Sequence, residues 1–284
     1  MSNYLQMGRY RLPIAAGQAL VMGVLNVTPD SFSDGGAFMS LEAAFDHAEQ
    51  MLVKGVDVID IGGESSRPGA APLVLADELQ RVMPVLFALR DCGKPLSVDT
   101  AKPQVMREAI LAGADMINDI NAFRADGAIA AVQDSDCALC IMHMQNQPQT
   151  MQQQPQYNDV VGEVIAFLQE RVATLCAAGV ARQRLWIDPG FGFGKTLAHN
   201  LALLHHLPRI QAELGLPLLA GLSRKSMLGA ICGKPVAPKP VENRLAGSLA
   251  AALAAIERGA HMVRVHDVEE TVDAIKVWQA ILKG

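Results

Sequence analysis

Short apolar runs recur along the whole chain, and most are followed by a loop and then by a segment of helical periodicity. The apolar runs are 20–25, 56–61, 96–98, 116–117, 138–142, 185–187, 217–220 and 262–265. Amphipathic stretches lie between them at 41–53, 76–89, 104–111, 160–178, 200–214, 242–256 and 268–282. Continuous apolar strands that alternate with helices are typical of a parallel sheet covered on both faces.

The number of these units predicts a (β/α)8 barrel, or TIM barrel, formed by a single domain over residues 1–284. Eight strands with intervening helices in 284 residues match that fold in count and size. An open, doubly wound sheet is the alternative that the same pattern allows. Residues 4–19 precede the barrel, which starts at about residue 20, and we expect them to form a hairpin that plugs its amino-terminal end.

Composition removes several classes of function. Hydrophobic residues make up 50% of the chain, enough for one sizeable core, and a formal net charge of −5 gives no reason to expect nucleic acid. No signal peptide is recognisable, and the most apolar helical stretch, 248–256, is far shorter than the roughly 20 residues that span a bilayer. Five cysteines without a disulfide-framework spacing fit a reducing compartment. We therefore expect a cytoplasmic protein without a nucleic-acid or membrane partner.

Two of the cysteines, Cys137 and Cys140, form a C-x-x-C pair with His143 three residues further on. A redox or zinc site would need this pair at a turn or at a helix amino terminus, whereas the pair runs into the apolar segment 138–142. We interpret both as buried strand cysteines, which behave as small hydrophobic side chains.

Polar groups able to bind or react stand at or just beyond the end of every apolar run. In chain order they are Asn26; Asp60, Ser66 and Arg67; Asp99; Asn118 and Asp119; His143; Asp188; Ser223, Arg224 and Lys225; and Arg264 and His266. The carboxyl ends of the strands of a parallel barrel share one rim, and active sites lie at that rim. One such residue could be an ordinary structural polar group, but eight strand ends in succession indicate a site.

The stretch DPGFGFGKT at 188–196 comes close to two nucleotide-binding patterns and fits neither. A P-loop requires glycine where Pro189 stands, and the dinucleotide fingerprint requires one more residue before its last glycine. Nucleotide binding is therefore not predicted.

Seven motifs together carry a resemblance to a known family. They read MGVLNVTPDSFSDGG at 22–36, IGGESSRPG at 61–69, SVDT at 97–100, IND at 117–119, DPGFGFGKT at 188–196, GLSRKSMLG at 221–229 and RVHD at 264–267. In this order, and over nearly the whole chain, they resemble the bacterial dihydropteroate synthases. The resemblance implies a TIM-barrel transferase of folate biosynthesis that joins a dihydropterin pyrophosphate to p-aminobenzoate. It also implies Mg²⁺ as cofactor, a homodimer and a target of sulfonamides.

The resemblance assigns pterin-binding roles at the rim. A pterin presents a 2-amino group and an adjacent N3–H, two parallel donors that suit the carboxylate of Asp188. Asp99, placed near N8, would favour positive charge on the ring, and Lys225 would donate to O4 and N5. The full pterin set is Asp99, Asn118, Met142, Asp188, Gly221, Lys225 and Arg264, and the catalytic residues are expected to be Asp99, Lys225, Arg264 and His266.

The same resemblance assigns the other rim residues to pyrophosphate and p-aminobenzoate. Asn26 offers a carbonyl oxygen to a Mg²⁺ that keeps most of its waters and binds substrate phosphates. Ser66 stands where the commonest family pattern has threonine, and the hydroxyl is retained. Ser223 precedes a helix expected to start near Lys225, so its hydroxyl and the helix N–H groups suit a carboxylate. Pyrophosphate is assigned to Asn26, Ser66, Arg67, Arg264 and His266, and p-aminobenzoate to Phe32, Ser66, Pro68, Phe193 and Ser223.

Three other functions stay open at this point. A methyltetrahydrofolate:corrinoid methyltransferase of the same superfamily would use Asp99, Asn118 and Asp188 but has no need of Asn26 or Arg67. A non-catalytic pterin-binding barrel would keep the same carboxylates without the pyrophosphate residues. A sugar-phosphate barrel would explain the basic rim but not the carboxylates.

Overall fold

Ten strands are present in the computed structural model, which describes residues 4–13, 18–27, 37–65, 69–148, 150–234 and 237–283. A short antiparallel hairpin comes first, and eight parallel strands follow it. The hairpin strands are β1 (Tyr4–Met7) and β2 (Tyr10–Pro13), and the parallel strands are β3 (Leu20–Asn26), β4 (Val58–Gly62), β5 (Leu96–Asp99), β6 (Met116–Asp119), β7 (Ala138–Met142), β8 (Leu185–Asp188), β9 (Leu219–Ala220) and β10 (Met262–Val265).

Helices follow the parallel strands and cover the outside of the sheet. They are α1 (Ala37–Val53), α2 (Leu75–Leu89), α3 (Pro103–Leu111), α4 (Ala128–Val132), α5 (Val160–Ala177), α6 (Leu197–His205), α7 (Leu207–Leu214), α8 (Ser226–Cys232), α9 (Leu245–Glu257) and α10 (Val268–Lys283). Short 3-10 turns lie at Arg182–Arg184 and Val241–Asn243.

The parallel strands curve into a barrel whose two edges meet. Their order is β8-β7-β6-β5-β4-β3-β10-β9, and a parallel bridge between Ile187 and Leu218 joins the two ends of that order. The N–H of Ile187 donates to the carbonyl of Pro217 at 3.0 Å across this junction. The predicted (β/α)8 barrel is thereby confirmed, and the open doubly wound sheet is wrong.

Side chains alternate along the strands between the barrel axis and the helices. Apolar residues near the strand starts fill the axis in one cluster: Leu20, Met22, Val58, Met116, Ala138, Cys140, Trp186, Leu219 and Met262. The hairpin residues Leu5, Met7 and Leu12 pack against this cluster, and Met7 is fully buried. The hairpin therefore closes the amino-terminal end of the barrel, as predicted. The alternate residues pack outward against the helices in the larger core.

The same alternation places polar side chains on the axis at the other end of the barrel. The inward positions of the carboxyl-terminal rim lie two residues further along each strand than the core residues Val58, Met116, Cys140, Trp186 and Met262. These positions are Asp60, Asn118, Met142, Asp188 and Arg264. The folding pattern that fills the core thus also directs chemical groups to one rim.

The helices differ from the predicted pattern at two places. The predicted helix 200–214 is two helices, α6 and α7, because Pro208 has no N–H to donate and its ring would clash with the preceding turn of a continuous helix. Helix α4 was not predicted, since its five residues are too few to show helical periodicity.

The cysteine prediction is confirmed in substance. Cys140 lies in β7 and Cys137 directly precedes that strand; both are buried free thiols. Burial raises the pKa of Cys137 to about 11 and raises the pKa of Cys140 as well, so neither is a reactive thiolate. No helix in the described part of the chain is long and apolar enough to cross a membrane.

Candidate active site

Arg264 lies at the centre of the candidate site and connects strands on several sides of the barrel. Its Nε donates to Oδ2 of Asp60 at 2.6 Å, and its Nη2 donates to Oδ2 of Asp99 at 2.9 Å. Nδ2 of Asn118 donates to the same oxygen of Asp60 at 3.4 Å. Residues at the ends of β4, β5, β6 and β10 therefore form one hydrogen-bonded group.

Burial determines the charge state of this group. It raises the pKa of Asp99 to about 7; Arg264 opposes this rise, while the carboxylate of Asp60 adds to it. Burial lowers the pKa of Arg264, but the carboxylates of Asp60 and Asp99 outweigh this and hold it above its ordinary value. The guanidinium therefore stays protonated beside these two acidic side chains.

Asp188 forms the opposite side of the rim, at the end of β8 and in register with Met142. Its side chain is 6% exposed, and its Oδ1 accepts a hydrogen bond from the N–H of Gly190 at 2.7 Å. A Cβ added to Gly221 would lie 4.0 Å from Oδ2 of Asp188, so that glycine leaves the approach to the carboxylate open. Burial raises the pKa of Asp188, whereas the Gly190 N–H and the charge of Lys225 lower it.

Lys225 points from the segment after β9 towards the loop that follows β8. Its Nζ donates to the carbonyl of Phe191 and lies 4.1 Å from the centroid of the Phe193 ring, a cation–π contact. Burial lowers its pKa to about 8, while Asp188 acts in the opposite direction. Lys225 directly precedes α8, as the sequence predicted.

Ser223 and His266 meet at the next part of the rim. The Ser223 hydroxyl accepts a hydrogen bond from the backbone N–H of His266 at 3.2 Å, and it lies 3.0 Å from Nδ1 of the His266 ring. Between Ser223 and Lys225, Arg224 has a φ of +57° and forms an ion pair with Asp267. That ion pair joins the two segments and keeps Ser223 beside His266.

Asn26 ends β3 on the side of the rim nearest to Asp99. It pairs in register with Gly62, where an added Cβ would lie 3.6 Å from Oδ1 of Asn26 and 3.8 Å from Cβ of Asp99. No cluster of three or more His, Cys, Asp or Glu side chains that could hold a metal occurs among the residues the structure describes. A divalent ion here would depend on one amide oxygen, water and the ligand's own oxygens, which is the manner in which Mg²⁺ binds substrate phosphates.

Comparison with known proteins decides between the functions left open. The family described as pterin binding enzyme matches residues 22–266. A dihydropteroate synthase of Neisseria meningitidis serogroup C is 48% identical over 279 residues, which cover 97% of this chain and 96% of that protein. The chain belongs to the dihydropteroate synthase family. Its activity is that of a transferase of folate biosynthesis.

Solved structures of dihydropteroate synthases agree with this assignment. The Xanthomonas albilineans enzyme with 4-aminobenzoic acid is 49% identical, has a TM-score of 0.90 and covers 99% of each chain. The Burkholderia cenocepacia enzyme with 7,8-dihydropteroate is 50% identical, has a TM-score of 0.87, and covers 99% of this chain and 96% of its own. The corrinoid methyltransferase, the non-catalytic barrel and the sugar-phosphate barrel are thereby set aside.

Most of the residues that the resemblance to dihydropteroate synthases singled out lie at one rim. Those described are Asn26, Asp99, Asn118, Met142, Asp188, Phe193, Gly221, Ser223, Lys225, Arg264 and His266. Phe32, Ser66, Arg67 and Pro68 fall outside the described residues, so their assignments remain predictions from the sequence.

Asp60 and Lys195 are buried residues near this synthase rim to which the sequence assigns no role. In the sequence Asp60 stands only at a predicted strand end. In the structure it is fully buried and accepts hydrogen bonds from both Arg264 and Asn118, and its Oδ1 has no hydrogen-bond partner in the described part of the chain. Its inward position two residues after Val58 was the available signal. Lys195 lies within the DPGFGFGKT motif, and nothing in the sequence indicates that its ammonium group is buried.

Proposed function

We propose that the chain condenses 6-hydroxymethyl-7,8-dihydropterin pyrophosphate with p-aminobenzoate at this rim, giving 7,8-dihydropteroate and pyrophosphate. The observation that carries the proposal is the buried group of Asp99, Asn118 and Asp188 around Arg264, directly beside the Ser223–His266 pair. The group around Arg264 suits a polar heterocycle that develops positive charge, and the Ser223–His266 pair suits anionic groups.

The pterin would lie with its pyrimidine edge against Asp188. Oδ1 of this carboxylate accepts one backbone N–H, so Oδ2 and the remaining lone pairs are available to the 2-amino group and N3–H. Burial strengthens such charge-assisted bonds because little water competes for the carboxylate. Asn118 offers both a donor and an acceptor to the adjoining ring edge, and Lys225 is the donor for O4 and N5.

Bond breaking would begin at the exocyclic methylene. Its C–O bond to pyrophosphate breaks, the electron pair leaves with pyrophosphate, and the resulting cation is delocalised into the dihydropterin. The carboxylate of Asp99 favours this positive charge, and the guanidinium of Arg264 both covers the ring face and attracts the departing anion. His266 and Arg67 supply the other donors to pyrophosphate.

Bond making needs no covalent nucleophile from the protein. The neutral aniline nitrogen of p-aminobenzoate attacks the methylene carbon and forms the C–N bond, and the proton it then loses is taken up by the departing pyrophosphate. The protein contributes by holding the two reactants in line and by balancing charge, which together account for much of the rate increase in such reactions.

The second substrate would bind above the pterin, between loops. The Ser223 hydroxyl faces the place where the carboxylate of p-aminobenzoate is expected, and the Phe193 ring offers an apolar wall for its ring, with Phe32, Ser66 and Pro68 assigned from the sequence. The presence of 4-aminobenzoic acid in the related Xanthomonas albilineans structure supports this part of the proposal.

Mg²⁺ fits the residues present at the pyrophosphate side. Asn26 would hold it through Oδ1, in company with substrate oxygens and water. When bound, the ion would neutralise charge on the phosphate oxygens of the substrate.

We also propose that residues 1–284 form one domain and that the protein is a cytoplasmic homodimer. Exposed apolar side chains on α6, α8 and α10 support an interface between copies: Leu197, Leu201, Ile231, Val277 and Ile281. The mass of the protein in solution tests the dimer.

The pyrophosphate roles are tested by His266→Ala and Arg264→Ala. Each variant should lower kcat by on the order of 100-fold, because a donor to the developing anion is lost, and change the affinity for a phosphate-free pterin less. His205→Ala, at an exposed position of α6, is the matched control and should leave both quantities unchanged. Turnover of His266→Ala at the wild-type rate with saturating substrates would remove His266 from the mechanism.

A further inference from the structure

Lys195 takes no part in the chemistry proposed above, yet its side chain is almost completely buried, at 3% exposure. Its Nζ donates to the carbonyl oxygens of Gly190 at 2.9 Å, Phe193 at 3.0 Å and His143 at 3.3 Å, and lies 2.9 Å from Nδ1 of His143. An ammonium group has three protons and no acceptor, so these four acceptors are enough to use its whole hydrogen-bonding capacity. A buried charge that is so completely partnered fixes the groups around it.

The partners of Lys195 belong to the glycine-rich segment 190–194 and to the end of β7. Gly190, Gly192 and Gly194 have φ values of +71°, +79° and +63°, a conformation that disfavours other residues. A Cβ on Gly190 would lie 1.9 Å from the carbonyl oxygen of His143, so the segment is pressed directly against that strand end. In this backbone path the carbonyls of Gly190 and Phe193 both turn towards Lys195.

The electrostatic surroundings favour a neutral His143 beside a titratable Lys195. Burial, with Lys195 adding to it, lowers the pKa of His143 to about 3, so its Nδ1 is available as an acceptor. Burial lowers the pKa of Lys195 to about 7, while Asp188 acts to raise it and Lys225 to lower it. Tyr157, which packs against the His143 ring, donates its hydroxyl proton to the carbonyl of Gly194 at 2.9 Å.

We propose that Lys195 is a positioning residue that holds segment 190–194 from beneath and thereby sets the place of the Phe193 ring in the p-aminobenzoate site. This rests on the proposed function, because it takes Phe193 as a wall of that site. The segment is fixed on its other side by Lys225, whose Nζ contacts the Phe193 ring and the Phe191 carbonyl. Lys195 itself touches no substrate.

The first test is steady-state kinetics of Lys195→Met, which keeps the length of the side chain and removes its charge and donors. The KM for p-aminobenzoate should rise about tenfold. The affinity for the free pterin should change less than about threefold, because Asp188 still accepts its hydrogen bond from the N–H of Gly190 and stays in place. Lys276→Met is the matched control, because that side chain is 69% exposed on α10. Its KM for p-aminobenzoate and its pterin affinity should equal those of the wild type. An unchanged KM for p-aminobenzoate in folded Lys195→Met overturns the proposal.

A second reference variant separates this proposal from the one on which it rests. Phe193→Leu should also raise the KM for p-aminobenzoate. If Phe193→Leu has no effect, the assignment of Phe193 is wrong; if Phe193→Leu raises KM and Lys195→Met does not, only the role of Lys195 is wrong.

The pH dependence of the KM for p-aminobenzoate separates a positioning role from a purely structural one, because a purely structural lysine would not affect it. As pH rises through about 7, wild-type Lys195 loses one of its three donor protons and holds the segment less firmly. The KM of Lys195→Met divided by that of wild type should therefore fall. A ratio that stays constant from about pH 6 to 9 would contradict the proposal. If Lys195→Met does not fold, Lys195→Gln is used instead. Its amide nitrogen lies one atom nearer the backbone and carries only two protons, so it cannot hold all the acceptors of Lys195, and its KM for p-aminobenzoate should also rise. An unchanged KM in Lys195→Gln would then overturn the proposal.

Discussion

At the scale of single residues, the site depends on charges that the barrel brings close together and shields from water. Arg264 contacts Asp60 and Asp99, and within the described residues neither carboxylate accepts a hydrogen bond from another cationic side chain. Removing one partner from such a buried group leaves the other charge uncompensated, at a cost of about 3–5 kcal/mol. Variants of Arg264 therefore need a check of folding, whereas His266, which is partly exposed, does not have this complication.

Asp188→Asn is the substitution that most directly tests pterin recognition. The amide replaces an acceptor with a donor that faces N3–H or the 2-amino group, so the affinity for the free pterin should fall by ~10–100-fold, equivalent to ~1.5–3 kcal/mol. Calorimetric titration measures it, with Asp273→Asn at an exposed position of α10 as the control. An unchanged affinity would show that Asp188 does not bind the pterin.

At the scale of elements, the residues proposed for the two substrates stand close together in the chain. Asn26 ends β3 and Phe32 follows it six positions later in the chain, and Arg67 and Pro68 are neighbours between β4 and α2. Ser223, assigned to p-aminobenzoate, contacts His266, assigned to pyrophosphate. Because one backbone segment carries groups of both kinds, occupation of one site restricts the groups of the other.

This arrangement predicts an order of binding. Pyrophosphate with Mg²⁺ should fix Asn26, Arg67 and His266, and p-aminobenzoate should then bind more tightly, by a coupling free energy of ~1–3 kcal/mol. Titration of p-aminobenzoate with and without Mg²⁺ and pyrophosphate measures the coupling. Equal affinities under both conditions would mean that the second site is preformed.

The elements also show how far the sequence could be interpreted. The predicted runs 138–142 and 262–265 match β7 and β10 to the residue, because strands buried on both faces are mostly apolar. Arg264, the polar residue of β10, belongs to the rim site. The two-residue β9 and the five-residue α4 depend on contacts with neighbours rather than on local periodicity. Pro208 was the sequence signal for the break between α6 and α7. The continuous amphipathic pattern across 200–214 led instead to the prediction of one helix.

At the scale of the whole molecule, closure of the barrel turns residues far apart in the chain into one site. Asp60 and Arg264 are separated by 204 positions, yet they form a 2.6 Å hydrogen bond. The motifs and the shared rim made it possible to predict which residues converge. The partners of Asp60 and the burial of Lys195 could not be predicted, since both depend on strand register and loop path in three dimensions.

The formation of both products in one reaction tests the central claim most directly. The protein is incubated with Mg²⁺, 6-hydroxymethyl-7,8-dihydropterin pyrophosphate and p-aminobenzoate, and pyrophosphate and dihydropteroate are measured together, with p-aminobenzoate omitted in a parallel sample. We predict equal amounts of the two products, and no dihydropteroate in the parallel sample. Absence of dihydropteroate from the complete mixture, with or without release of pyrophosphate, would contradict the proposed function.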